Sequence, residues 1–193
     1  MGKIPENYLP PRDMWPEYLV PEEFADAPSE ANLADFLLDR HVREGRGDNP
    51  AIKFMDKTIT YAQLQQQVNK FGNALKDIGV EPQDRIGIRL VNSPQAVVAI
   101  FAIEKIGAIP VPTSPLWSGE EVAFVANDAE MKLFIVNAPL MPPVEQAKPN
   151  FEHGTKVVVI GGDPGEVKAA GNMVFEEMLE AGSPELEATM LKA

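Results

Sequence analysis

The run Arg85-Ile86-Gly87-Ile88-Arg89-Leu90-Val91, followed by Ser93 to Ile106, Ile109-Pro110-Val111-Pro112, Ser118 to Ala129 and Leu133-Phe134-Ile135-Val136, decides the fold. Three short β-prone runs alternate with two helical stretches, and almost no residues are left over between them. Strands that alternate with helices are joined by right-handed crossovers, which build a parallel sheet covered on both faces. Ser93 caps the first helical stretch, and Pro94 occupies its first position, where a missing N–H costs nothing. Val97, Val98, Ile100, Phe101, Ile103 and Ile106 surround much of that helix, which places it deep between other elements. The second opens with Ser118-Gly119-Glu120-Glu121, a capping box by spacing and residue type.

Upstream, Thr60 caps a long helix whose Leu64, Val68, Phe71, Leu75 and Ile78 form an amphipathic stripe closed by Gly79. Ala51 to Phe54 and Thr58 to Tyr61 flank Met55-Asp56-Lys57 and predict a hairpin. Asn32 caps an earlier helix, with Asp35 in its first turn, Leu33, Phe36 and Leu37 at one-face spacing and Gly45 at its end. His41 falls on or beside that face and reads as a core or boundary histidine. Gly45-Arg46-Gly47-Asp48-Asn49-Pro50 contains an integrin-type tripeptide, but its residues are those a helix-to-strand turn needs. Residues 1–31 hold Pro5, Pro10, Pro11, Pro16, Pro21 and Pro28 together with Trp15, Tyr18 and Phe24, which predicts an ordered, extended arm.

Downstream, a proline-rich connection from Pro139 to Pro149 leads to Val157-Val158-Val159-Ile160, a fourth parallel strand. Asn172 to Ala181 reads as a helix stopped by Gly182, and the last eleven residues show no pattern. The organisation expected is an arm over 1–31, a partial α/β domain over 32–182 and a tail over 183–193.

The chain has 17 Lys plus Arg against 29 Asp plus Glu, a formal charge of −12, and no basic run. That argues against nucleic acid or an anionic membrane as partner. With no cysteine there are no disulfides, thiol catalysis or thiolate metal sites, and a reducing cytoplasm is the simplest setting. The N-terminus carries prolines where a signal peptide needs an apolar run, and no stretch approaches the roughly 20 apolar residues that span a bilayer. A soluble, non-exported protein is expected.

Little in the residues points to catalysis. Gly161-Gly162-Asp163-Pro164-Gly165 follows a strand, where phosphate loops sit, but fits neither G-x-G-x-x-G nor G-x-x-x-x-G-K, and Pro164 removes an N–H. It reads as a surface turn. His41 and His153 lack metal-ligand spacing, and Lys105 and Lys132 read as solvated charges. No catalytic, cofactor-binding or metal residue is assigned. If ligand is touched, the loops after strands around Asn92-Ser93 and Thr113 to Trp117 are the better places, because open α/β sheets bind at the carboxyl ends of strands.

Thr58-Ile59-Thr60-Tyr61-Ala62-Gln63-Leu64 resembles the first core motif of the adenylate-forming enzymes, with Gln63 where glutamate is common. Ile103 to Pro112, continuing through Ser114-Pro115-Leu116 to Glu121, resembles the second. Residues 32–51 and 79–94 also follow the pattern, so the resemblance covers most of 30–137. Leu9 to Glu17 and Asn32 to Asp39 resemble aryl-acid CoA ligases, the 2-aminobenzoate- and benzoate-CoA ligases among them; short- or medium-chain acyl-CoA synthetases are the other subgroup considered.

The resemblance implies the N-terminal subdomain of the acyl-CoA synthetase fold. It implies a parent that activates a carboxylic acid with ATP and Mg²⁺ to an acyl-adenylate, then transfers the acyl group to coenzyme A. The phosphate loop, ribose carboxylate and adenylation lysine of such enzymes lie beyond the second motif, and none occurs before Ala193, so this piece is expected to be an inactive scaffold. With its partners missing, apolar surface around Val97 to Ile106 favours self-association as a homo-oligomer. The alternatives are a stand-alone, non-catalytic α/β module that binds a protein or small ligand, and a flavodoxin-like cofactor binder.

Overall fold

The computed structural model describes residues 9–15 and 28–192. In chain order the elements are β1 (Glu30–Ala31), a π-helical turn (Asp35–Asp39) running into α1 (Arg40–Arg43), β2 (Pro50–Phe54), β3 (Lys57–Thr60), α2 (Tyr61–Asp77), β4 (Arg85–Arg89), α3 (Pro94–Lys105), β5 (Ile109–Pro112), α4 (Gly119–Asp128), β6 (Leu133–Asn137), α5 (Met141–Ala147), β7 (Lys156–Ile160), α6 (Pro164–Ala169), β8 (Met173–Val174), α7 (Phe175–Ala181) and β9 (Leu191–Lys192).

The sheet is parallel throughout, in the order β5-β4-β6-β7-β8. Successive side chains on a strand point to opposite faces, and the buried residues divide accordingly. Ile86, Ile88, Leu133, Ile135, Val158 and Ile160 join α2, α3 and α7 in one core. Phe134, Val136, Val157, Val159 and Val174 join α4, α5 and α6 in the other. Gly87 makes room on that second face, since a Cβ there would stand 2.2 Å from the Phe134 ring. Val98, Ala99, Ala102, Ile103 and Ile106 of α3 are buried, while Val97, Ile100 and Phe101 are half-covered.

The caps at Thr60, Ser93 and Ser118 form as predicted. So does the β2-β3 hairpin. The turn ending the first helix has Gly45 at φ +77°, and Arg46 pairs with Glu44 while donating to His41, so this tripeptide is engaged within its own turn. His41 is half-buried and stacks on Tyr61 at 4.3 Å, a boundary histidine.

On the outer edge of the sheet, Ile109 and Thr113 donate their N–H groups to Asp84 and Ile88 beside β4. Alternation therefore turns Pro110 and Pro112 outward, and neither has an N–H to offer.

Several expectations need correction. Leu33, Phe36 and Leu37 are exposed, at 51%, 53% and 41%, whereas Ala34, Leu38 and Asp39 face inward. Two apolar stripes were available on this helix; Asn32 capping Ala34 and Asp35, the π-turn, and the need to bury Asp39 beside Lys105 select the other one. The Pro139 to Pro149 connection contains α5, because Pro142 and Pro143 lie in its first turn, where their missing donors have no intrahelical acceptor. The glycine turn runs into α6, capped by Asp163. The Asn172 to Ala181 helix begins only at Phe175; Met173–Val174 is a fifth strand.

Residues 183–192, patternless in sequence, are held by the rest of the chain. Asn69 donates to the Pro184 carbonyl at 2.7 Å, and Asn73 to those of Ser183 and Glu185 at 2.8 Å each. Leu186 lies where a Cβ on Gly72 would be 2.5 Å away, and β9 pairs antiparallel with β1. Of the predicted arm, Arg12–Met14 form a single 3-10 turn, with the Trp15 indole donating to Pro10 at 2.8 Å. Tyr18 and Phe24 lie outside the described residues.

Candidate functional site

The carboxyl ends of β4, β5 and β6 meet at one edge of the sheet, where an open α/β sheet takes its ligands. Arg89, the last residue of β4, is 1% exposed. Its guanidinium donates to the carbonyls of Ser114 at 2.5 Å, Pro115 at 2.7 Å and Trp117 at 3.0 Å. Burial pushes its pKa below the ordinary arginine value, while the three carbonyls take up donors of its two terminal nitrogens. Its Nε has no partner among the described residues. Thr113 donates its hydroxyl to Ile88 at 3.1 Å, and the Ser114 hydroxyl accepts the Leu116 N–H at 3.1 Å. The Asn137 side chain accepts the Val91 N–H at 2.8 Å, tying the end of β6 to the end of β4.

Both loops singled out in the sequence, Asn92-Ser93 and Thr113 to Trp117, therefore lie on this edge. The hydroxyls of Thr113, Ser114 and Ser93 are engaged with backbone, the Ser93 hydroxyl accepting the Ala96 N–H at 3.2 Å. The glycine turn after β7 comes to the same edge, with Gly162 against Ala138. A nucleotide phosphate does not fit it. The Gly161 N–H donates to the Glu176 carboxylate at 3.1 Å, the Asp163 carboxylate accepts the Glu166 N–H at 3.0 Å, and Pro164 offers none. Anionic side chains stand where an anionic ligand would have to bind. Among the described residues no group of three His, Cys, Asp or Glu could hold a metal ion. A groove of about 820 Å³ opens between the hairpin, α2 and the start of α3, lined by Phe54, Ile59, Gln63, Gln67, Pro94 and Gln95 among others. Its lining mixes glutamine amides and apolar side chains with Asp56, Lys57 and Thr58 of the hairpin turn.

A second polar cluster lies in the core. Lys105 is 1% exposed, not solvated as its sequence context implies. Its ammonium donates to the Asp39 carboxylate at 2.7 Å and to the Asn69 Oδ1 at 2.6 Å; Gln65 donates to Asp39 at 2.8 Å. Asn32 donates to the carbonyls of Glu104 at 2.8 Å and Thr189 at 2.9 Å, and the Thr189 N–H donates to Lys105 at 2.8 Å. The cluster ties the first helix, α2, α3 and the 183–192 segment together. Lys132, by contrast, pairs with Asp84 at 2.9 Å while 42% exposed.

Glu104, beside this cluster, has a buried carboxylate oxygen with no partner among the described residues, and desolvation raises its pKa. The folded chain then holds a proton that the unfolded chain has released. Stability consequently falls as pH rises from the unfolded pKa through the higher folded one, and is flat above it. Glu104→Gln is expected to remove that fall, and urea midpoints of the two proteins across the acid range will measure it.

Residues 38–188 match the family model described as AMP-binding enzyme. The chain belongs to that family. It is 35% identical over 143 residues to acetyl-coenzyme A synthetase of Streptomyces avermitilis, a match covering 67% of this chain and 22% of that one. To the 3-hydroxybenzoate–CoA/4-hydroxybenzoate–CoA ligase of Thauera aromatica it is 28% identical, covering 83% and 30%. Among solved structures, the anthranilate CoA ligase AuaEII in complex with anthranoyl-AMP superposes with a TM-score of 0.78 at 29% identity, covering 86% of this chain and 31% of that one. The chain thus spans less than a third of the length of these relatives.

In this member of the family, the two motif-like stretches hold backbone. Thr60 and Gln63 form a reciprocal capping box at 3.3 Å and 3.0 Å, so glutamine replaces the usual glutamate without loss of the cap. Gly107, at φ +78°, turns the chain from α3 into β5. Sequence reading missed Arg89 and Lys105. The one local mark of Arg89 is a charge set between the apolar Ile88 and Leu90, which does not say what it grips.

Proposed function

We propose that this chain is the N-terminal part of an AMP-forming ligase that joins a carboxylic acid of the aryl class to coenzyme A, through an acyl-adenylate made from ATP and Mg²⁺. The observation carrying the aryl reading is the superposition on the anthranilate CoA ligase over 86% of this chain. The hydroxybenzoate ligase among its relatives supports it. The 35% identity to an acetyl-coenzyme A synthetase favours a short-chain acid as the second reading. Adenylation needs donors that hold phosphate while charge develops on it, and at the glycine turn such donors are occupied by carboxylates. The role of this portion is that of a scaffold: Arg89 and Asn137 fix the sheet edge on which the nucleotide-handling parts would be assembled. The cysteine-free sequence suits a reducing cytoplasm.

ATP–pyrophosphate exchange tests the reading. The 193-residue chain is expected to show only background with benzoate, 2-aminobenzoate or acetate. A chain extended through the phosphate loop, the ribose carboxylate and the adenylation lysine should exchange with the aryl acids in preference to acetate. Exchange by the 193-residue chain would overturn the scaffold role, and preference for acetate would overturn the aryl assignment alone.

A further inference from the structure

The outer face of α4 and the loop before it carry apolar side chains that nothing in the described chain covers. Leu116 is 93% exposed and Phe124 69%. Trp117, Glu120, Glu121, Phe124 and Val125 line a groove of about 430 Å³. The loop is not free to fold these groups away. Arg89, buried from water, grips three of its carbonyls, and Ser114 grips a fourth backbone group. Taking a guanidinium out of water is expensive, and what it secures here is the shape of residues 114–117. An apolar surface held rigid before binding loses little entropy when a partner arrives.

Charge narrows the partner. Between Ile106 and Met131 the chain has Glu120, Glu121, Asp128 and Glu130 and no Lys or Arg. Glu130 is paired with Arg85, but among the described residues Glu120 has no ion-pair partner. Hydrogen bonds from Ser118 hold the Glu121 carboxyl below its usual range, so it is anionic at neutral pH. A second copy of the chain, also at −12, or a nucleic acid would meet charge of the same sign.

We infer that the Trp117–Phe124 groove is a docking site for a cationic amphipathic segment of another protein, which places a large apolar side chain in the groove and lysines or arginines against Glu120 and Glu121. This is a helix-in-groove mode of recognition, with an apolar anchor beside charged side chains. On the ligase reading the remainder of the parent is the competing occupant: a chain extended to the relatives' length that no longer takes up a cationic peptide at this groove would overturn the inference.

Trp117 is its own reporter once the other tryptophan is changed, so Trp15→Phe serves as the parent for the test. The probes are a synthetic helical peptide of leucine and lysine and its leucine–glutamate counterpart. The leucine–lysine peptide is expected to shift Trp117 emission to the blue and to saturate, with affinity that falls as salt is raised. Phe124→Ala, at an exposed position, should weaken it about tenfold or more, and Glu120→Lys should weaken it too. Absence of binding, equal binding of the leucine–glutamate peptide, or binding indifferent to Phe124→Ala would overturn the inference. So would concentration-dependent self-association that Phe124→Ala abolishes, because the occupant would then be a second copy.

Discussion

Lys105→Ala is expected to destabilise the chain by about 3–5 kcal/mol, because it leaves the carboxylate of Asp39 buried and unpaired. Asp39 is 5% exposed, and after the substitution only Gln65, among the described residues, would still donate a side-chain hydrogen bond to it. The Asn69 Oδ1 loses its donor as well. Asp39→Ala should cost about the same, since it strands the ammonium instead. The double variant Asp39→Ala/Lys105→Ala removes both charges and is expected to cost less than the two single losses added together, leaving a cavity, the Asn69 Oδ1 without its donor and Gln65 without its acceptor. Urea unfolding of the four proteins closes the cycle. A coupling near zero, with each single variant costing less than about 1 kcal/mol, would mean that the pair behaves like an exposed one. Natural domains hold only about 5–15 kcal/mol in total, so either single variant leaves a chain near the edge of unfolding.

Phe71→Ala is expected to cost about 3–5 kcal/mol by a different route, the cavity left by an aromatic ring. Phe71 is wholly buried on α2, and its ring meets that of Phe175 at 4.5 Å and a 51° tilt, within the favourable range for aromatic pairs. Phe175 begins α7, which directly precedes the 183–192 segment. The loss should therefore loosen the end of the chain first. Amide hydrogen exchange is the measurement: protection of α7 should collapse before that of β4 and β6. Equal loss everywhere would show that the chain opens only as one unit.

Much of this architecture could be read from the sequence. Leu133 to Val136 and Val157 to Ile160 are apolar on both faces, which is what a doubly covered parallel strand demands, and Thr60, Ser93 and Ser118 stand where caps are needed. What escaped has physical causes. Lys105 was placed in solvent because its partner, Asp39, lies 66 residues away, and no local pattern records such a pairing. Leu33, Phe36 and Leu37 obey helical periodicity, yet burial of Asp39 turns the opposite stripe inward. Prolines at 142 and 143 look like breakers unless their place in a first turn is known. Met173–Val174 is too short to show any period. At the sheet edge, the loops around Asn92-Ser93 and Thr113 to Trp117 were legible from the rule for α/β sheets, but Arg89 was not: a strand-ending arginine gives no sign that it will grip a loop 25 residues on.

The two outward prolines of β5 have a consequence for the chain when it stands by itself. A stray strand aligning there would meet carbonyl acceptors at Pro110 and Pro112 and no matching donors, so it could complete only half of each ladder rung. That flank is therefore a poor template for fibril growth or strand exchange, whatever the remainder of the molecule does.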